Sequence, residues 1–236
     1  MFLLKKHLPN AITCLNLLCG CLALTFIFAG DLVVGAYLVG LAAAADFFDG
    51  LVARALRVSS PIGKDLDSLA DMVSFGVVPG AILFQLLKGA PALGALNYLP
   101  YAAFLVTIFS ALRLAKFNND TRQTNSFIGL PTPACTLVVA SLPLILAAQA
   151  GGPTAVSAWI RNPWALLALT GLLSGLLVAE LPLFALKFKN FGWADNRQRF
   201  VFLLVALALV AGLRAAAVPL VVLLYVAMSA VGRRAT

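Results

Sequence analysis

The sequence is short of charge, of histidine and of long polar stretches, and each shortage removes a class of protein. Charged residues make up 11% of the 236 and hydrophobic ones 62%, with a mean hydropathy of +0.99. That balance lies far outside the range of soluble domains. With one histidine, His7, and four cysteines, no metal-binding spacing forms, so Cys14, Cys19, Cys21 and Cys135 read as small apolar residues in helices. No polar segment between apolar runs exceeds about 15 residues, too few to close a core of its own. A single membrane domain remains.

What is present in quantity is apolar sequence of membrane-crossing length, about 20 residues per helix. The runs near 11–29, 32–54, 66–87, 97–117, 131–149, 163–185, 198–213 and 215–231 give an all-α, polytopic transmembrane bundle of about eight spans. The last two are short and suit a tight hairpin. Residues 1–8 read as an interfacial segment before the first span, with His7 at headgroup level. The start lacks an A-x-A cleavage site and its apolar run is long enough to span, so it is not a secretory signal.

The formal charge is +8, yet the basic residues follow helix ends rather than forming a nucleic-acid surface. Of the seventeen, all but Lys88, Arg161 and Arg214 fall on one side of the bundle when the spans are counted off: Lys5, Lys6, Arg54, Arg57, Lys64, Arg113, Lys116, Arg122, Lys187, Lys189, Arg197, Arg199, Arg233 and Arg234. Such asymmetry in short loops sets orientation, which predicts cytosolic N- and C-termini in the cell membrane. It also predicts an inner rim that attracts anionic phospholipid headgroups.

Acids number nine, and Asp46, Asp49, Asp65, Asp67 and Asp71 crowd into one segment. An ionised Asp at the centre of a membrane helix costs roughly 2.5–3.5 kcal/mol on insertion scales, so several together need a cation, a partner or a water-filled cavity. Asp46 and Asp49 are spaced to share one face at the end of the second helix, and Asp67 and Asp71 one face at the start of the third. Ser59-Ser60-Pro61 between them offers an N-cap followed by proline in the first turn. The two helices then form an antiparallel hairpin that brings the acidic faces together near the cytosol. Carboxylates without His or Cys select Mg²⁺, Mn²⁺ or Ca²⁺ over zinc. Gly50, Ala53 and Gly63 leave room for a ligand or a neighbouring backbone, or are ordinary small-residue packing. Arg54 suits a phosphate, or marks the cytosolic helix end.

The segment ADFFDGLVARALRVSSPIGKDLDSLAD matches D-x2-D-G-x2-A-R-x8-G-x3-D-x3-D at Asp46, Asp49, Gly50, Ala53, Arg54, Gly63, Asp67 and Asp71. It resembles the signature of the CDP-alcohol phosphotransferase family. PNAITCLNLLCG, DSLADMVSFGVVPG, ALRLAKFNND and FIGLPTPA are similar to the branch that uses serine as the alcohol, over residues 9 to about 135; LSGLLVAELPLFALKFK is similar in style only. The resemblance implies a six-helix core over 9–185, with 186–236 adding two helices, and a homodimer. It implies transfer of the phosphatidyl group of CDP-diacylglycerol to L-serine, assisted by two divalent cations, Mg²⁺ or Mn²⁺. Asp46, Asp49, Asp67 and Asp71 take the metal-binding role, Asp71 also that of base. Gly50, Ala53, Arg54 and Gly63 hold the CDP moiety, and Asn10 and Thr13 reach the nucleotide.

Serine is a zwitterion and requires donors for its carboxylate and an acceptor for its ammonium. Arg113, Lys116, Asn118 and Asn119 at the end of the fourth span are candidates, with Ser74 below the metal site; each also reads as part of a solvated, topology-setting loop. The stretch 127–133, punctuated by Gly129, Pro131 and Pro133, reads as a rigid turn into the next helix. Two further functions stay open: a sister transferase using glycerol 3-phosphate or inositol phosphate, which needs more clustered basic residues, and a divalent-cation transporter. Transport predicts acids spread through the membrane depth; in the outer half the sequence offers only Asp31 and Glu180, the latter expected in the sixth span.

Overall fold

The computed structural model describes residues 2–58, 60–90, 97–119, 126–149, 154–184 and 192–232. Ser59, Arg122, Lys187, Lys189, Arg233 and Arg234 lie outside the described residues. The chain is a helical membrane bundle: α1 (Phe2–Phe28), α2 (Leu32–Leu56), α3 (Pro61–Asp71), α4 (Val78–Lys88), α5 (Leu105–Asn119), α6 (Thr132–Ala147), α7 (Ala155–Ile160), α8 (Pro163–Val178), α9 (Trp193–Leu213) and α10 (Ala217–Gly232). Two short strands, β1 (Ser126–Ile128) and β2 (Pro182–Phe184), pair antiparallel. Among the described residues five helical segments are long and apolar enough to cross a bilayer: His7–Phe28, Leu32–Leu56, Pro61–Lys88, Leu99–Asn119 and Asn196–Ala230. Thr132–Ala147 and Pro163–Val178 are apolar but shorter.

Residues 2–8 are the first two turns of α1, continuous with the span, because Pro9 inside the helix does not interrupt it. The segment 196–230 is folded back on itself at Arg214, whose φ of 51° breaks the helix. Gln198 Nε2 donates to the Met228 carbonyl at 2.8 Å and the rings of Phe202 and Tyr225 lie 5.7 Å apart, so α9 and α10 form the expected hairpin. The sixth run stops at Val178 rather than continuing to 185. Pro182 disfavours helix in the residue before it, and the chain turns extended to pair with β1. Glu180 is therefore exposed beside that ladder, past the helix end and on the side where α5 ends, not in the outer half of a span.

The stretch 127–133 is the rigid turn expected. Gly129 has φ +78°, and a Cβ there would lie 2.7 Å from the Leu177 carbonyl oxygen, so only glycine fits. Leu130 N–H, 2.9 Å from the Leu176 carbonyl, caps the end of α8.

Helices α3 and α4 are one rod joined by a π-helical turn, Met72–Val77, directly after Asp71. Such a turn widens the helix and leaves carbonyls misaligned with their usual donors. Two hydroxyls from neighbouring helices bond to them: Thr107 donates to the Gly76 carbonyl at 2.8 Å and Thr136 to the Phe75 carbonyl at 2.8 Å. The main core, with Ile27, Val39, Ile82, Leu83, Leu87, Val139, Leu166 and Leu177 buried, lies between these helices below the acid-bearing end.

Helix α1 packs directly on the π-helical turn because Gly20 has no side chain: a methyl there would overlap the Ser74 hydroxyl and sit 3.0 Å from the Ser74 Cα. Gly40 in α2 faces open space. Replacing Gly20 by Val is expected to destabilise the purified protein by about 1–3 kcal/mol through overpacking, read as a lower unfolding midpoint in detergent. Gly40→Ala, with open space for its methyl, should not lower the midpoint; a fall equal to that of the Gly20 variant would contradict this packing.

Candidate active site and metal centre

The hinge between α2 and α3 places the acids. Arg57, in the left-handed region with φ 53°, ends α2, and the N–H of Val58 returns to the Ala53 carbonyl at 3.0 Å. Ser60 then caps α3, its hydroxyl accepting from Gly63 N–H at 3.0 Å, and Pro61 takes the first turn. The two acid-bearing helix ends are thereby turned toward each other.

One carboxylate oxygen from each of Asp46, Asp49 and Asp67 lies within 4.8 Å of the others. Asp49 is buried and accepts from the Thr13 hydroxyl at 2.7 Å, the Pro9 carbonyl being that hydroxyl's alternative acceptor at 3.1 Å. Asp71 stands one helical turn beyond Asp67, lines the same cavity as Asp46 and is held by the Asn16 amide, Nδ2 to Oδ1, at 3.2 Å. Asp67 Oδ1 is buried with no hydrogen-bond partner among the described residues. A set of oxygens with an unsatisfied buried member fits a hard divalent cation. Asp65 points away and is exposed.

The acids stand at the junction of two cavities. The first, about 260 Å³, is lined by Pro9, Asn10, Thr13, Asp49, Gly50, Ala53, Gly63, Lys64 and Asp67 among others. The second, about 280 Å³, is lined by Asp46, Lys64, Asp67, Ser68, Asp71, Arg113, Asn118 and the start of α6. Gly63 is small for a reason: a Cβ there would lie 3.0 Å from Asn10 Oδ1 and 3.0 Å from Ser60 Oγ, narrowing the first cavity.

The cavities bring together most of the residues expected from sequence. Asn10, Thr13, Gly50, Ala53 and Gly63 line the first; Asp71, Arg113 and Asn118 line the second. Arg54 is exposed and lines neither, although its guanidinium reaches back so that a Cβ on Gly50 would lie 3.3 Å from Nη1. Ser74 is fully buried and outside both cavities; its hydroxyl donates to the Asn16 carbonyl at 3.0 Å, bracing α1 against the π-helical turn. Lys116 is exposed and outside the second cavity; Asn119 is exposed and donates to the Ala115 carbonyl of its own helix at 2.9 Å. Arg113 is 7% exposed, its Nε lacks a partner among the described residues and its guanidinium carbon stands 5.8 Å from the centre of the Phe117 ring.

Asn16 and Lys64 were missed by sequence reasoning. Asn16 is fully buried in α1 and bonded to Asp71. An amide inside an apolar span is a signal of its own, since such a group needs a partner in the membrane.

Thr13 touches Asp49 from outside the carboxylate set, and partners of this kind typically change metal affinity 10–100-fold when removed. Thr13→Val is therefore expected to weaken Mn²⁺ binding by roughly 10-fold or more, measured by electron paramagnetic resonance on the purified protein. Thr25→Val, which removes only a hydroxyl bonded within its own helix, should not.

A Bacillus subtilis protein named CDP-diacylglycerol–serine O-phosphatidyltransferase is 35% identical over 148 residues, 60% of this chain and 81% of that protein. Proteins of the same name from Mycobacterium leprae and Methanocaldococcus jannaschii are 33% and 34% identical, over 75% and 59% of this chain. The chain spans 57% and 62% of those two. The family model for CDP-alcohol phosphatidyltransferase matches residues 6–186, a stretch that contains the whole acid-bearing hinge and both cavities. By that match the chain belongs to the CDP-alcohol phosphatidyltransferase family.

Proposed function

We propose that this protein transfers the phosphatidyl group of CDP-diacylglycerol to the hydroxyl of L-serine and releases CMP. The observation that carries the reading is the acid cluster at the junction of two cavities: a nucleotide and an alcohol can approach one phosphorus from opposite sides. The names of the relatives supply the substrates.

Divalent cations held by Asp46, Asp49, Asp67 and Asp71, expected as a Mg²⁺ or Mn²⁺ pair with Ca²⁺ as a substitute occupant, supply charge neutralisation for the diphosphate and the leaving CMP. The chain's own residues do the rest. Asn10, Thr13, Gly50, Ala53 and Gly63 shape the CDP side. On the other side Arg113 offers the serine carboxylate a guanidinium whose Nε is unpaired, and Asn118 offers its amide oxygen to the ammonium. Asp71, held by Asn16, accepts the proton of the serine hydroxyl. The hydroxyl oxygen bonds to the phosphorus that carries diacylglycerol, the bond from that phosphorus to the CMP oxygen breaks, and CMP leaves with the electron pair.

The setting is an integral membrane protein of the cell membrane with eight crossings, both termini and the site facing the cytosol. The basic residues flanking the site support that orientation. Exposed Tyr98, Tyr101, Trp159 and Trp164 at the opposite end of the bundle suit a membrane interface there, whichever side it faces. Residues 9–185 form the catalytic core and 186–236 append the α9–α10 hairpin; a homodimer is the assembly the family resemblance suggests.

Asp71→Asn is expected to lower CMP release by about 10²–10⁴-fold, the usual contribution of a general base, with the protein still folded. Undiminished turnover would remove the base role. Purified protein given CDP-diacylglycerol should release CMP with serine. Release only with glycerol 3-phosphate or inositol phosphate would instead mark a sister transferase, and cation flux into vesicles without CMP release a transporter.

A further inference from the structure

The diphosphate of the donor has to straddle the two cavities: its nucleoside end belongs in the first, and the phosphorus under attack must open to the alcohol in the second. Two residues line both cavities, Asp67 and Lys64. Asp67 is an acid of the metal set and repels phosphate when no cation intervenes. Among the described residues Lys64 is the cation that lines the first cavity, and Arg54 is not in that lining. Arg54 stays beside Gly50 at the edge of the first cavity, whereas Lys64, itself exposed, lines both.

The local bonding keeps the ammonium at that junction. Lys64 Nζ donates to the Asn118 carbonyl at 3.4 Å, a long bond that leaves two of its three protons free for a ligand. Asn118 Nδ2 donates to the Ser68 hydroxyl at 2.9 Å, and that hydroxyl donates to the Lys64 carbonyl at 3.2 Å. This loop of bonds ties the first turns of α3 to the end of α5, so the lysine stem is anchored at one end and tethered lightly at the other. A long tether to a neutral carbonyl is readily exchanged for a doubly charged diphosphate, because there the ammonium meets an anionic acceptor, with Coulomb attraction between two full charges added to the hydrogen bond.

We infer that Lys64 is the residue that grips the diphosphate bridge of the nucleotide donor, its ammonium leaving the Asn118 carbonyl for a phosphate oxygen. The inference rests on the proposed function for the identity of the donor, but not for its test, because a nucleoside diphosphate alone is a sufficient probe.

The experiment compares wild type, Lys64→Met and Lys64→Arg, each as the full chain in detergent. Titration with CDP and, separately, with cytidine is followed by CMP-release kinetics and thermal unfolding. Lys64→Met is expected to weaken CDP binding about 10–100-fold, the range for a hydrogen bond to a charged group. Cytidine binding and the unfolding midpoint should not change, and Lys64→Arg should recover most of the loss. In turnover, kcat/KM for CDP-diacylglycerol should fall by a similar factor while KM for the alcohol stays the same. Three results would overturn the inference: CDP affinity within twofold of wild type in Lys64→Met, equal loss for CDP and cytidine, or a fallen unfolding midpoint that arginine does not restore, which would make Lys64 a strut. Should wild type bind CDP through Lys64 yet release no CMP with any alcohol, the proposed function fails and this inference stands.

Discussion

The repulsion among carboxylates gathered at the α2–α3 hinge is the constraint around which the rest of the structure is arranged. Two carboxylates 4.8 Å apart, when both are ionised, repel by about 3.5 kcal/mol at an effective dielectric of 20; three carboxylates lie within that distance here, with Asp71 lining the same cavity as Asp46 and Asp67. A fold that carries this load without a counter-charge would have a strong incentive to separate the helices. Instead every nearby device holds them together: the Ser60 cap, the Pro61 start, the Thr13 bond to Asp49 and the Asn16 bond to Asp71. An arrangement of this kind could hold a divalent cation.

The supporting structure explains how the load is borne. Helix α1 is a brace: it presents Asn10 and Thr13 to one cavity, Asn16 to Asp71, and Gly20 where the π-helical turn must approach closely. The turn itself sits immediately after Asp71 and needs hydroxyls from α5 and α6 to satisfy its carbonyls. Those bonds link the acid-bearing rod to the helices that carry Arg113 and the start of α6. Both walls of the second cavity are thus referenced to the same rod that positions Asp71 and Asp67. Small displacements matter at such sites, and a rigid rod shared by acid and acceptor walls limits them.

Much of the site was legible in the sequence, because what defines it is local. Asp46 to Asp49 and Asp67 to Asp71 declare their faces by helical spacing, and Ser60-Pro61 declares the start of α3. The helical architecture and the C-terminal hairpin followed from the length of the apolar runs. What was not legible depended on tertiary contacts. Arg54 and Lys64 look equivalent along the chain, and only the packing of α1 and α5 against α3 puts one outside the cavities and the other in both. Ser74 looked like a pocket residue until α1 came to lie over it. Glu180 looked membrane-embedded because nothing local announces that 182–184 will pair with 126–128. The π-helical turn has no signature in the string, since it is held by Thr107 and Thr136 from elsewhere.

The most direct measurement is anomalous scattering from crystals of the protein grown with Mn²⁺. The account predicts density for the metal enclosed by the carboxylates of Asp46, Asp49 and Asp67, at the boundary of the two cavities. Crystals that bind Mn²⁺ elsewhere, or show these three side chains turned apart with no metal between them, would contradict it.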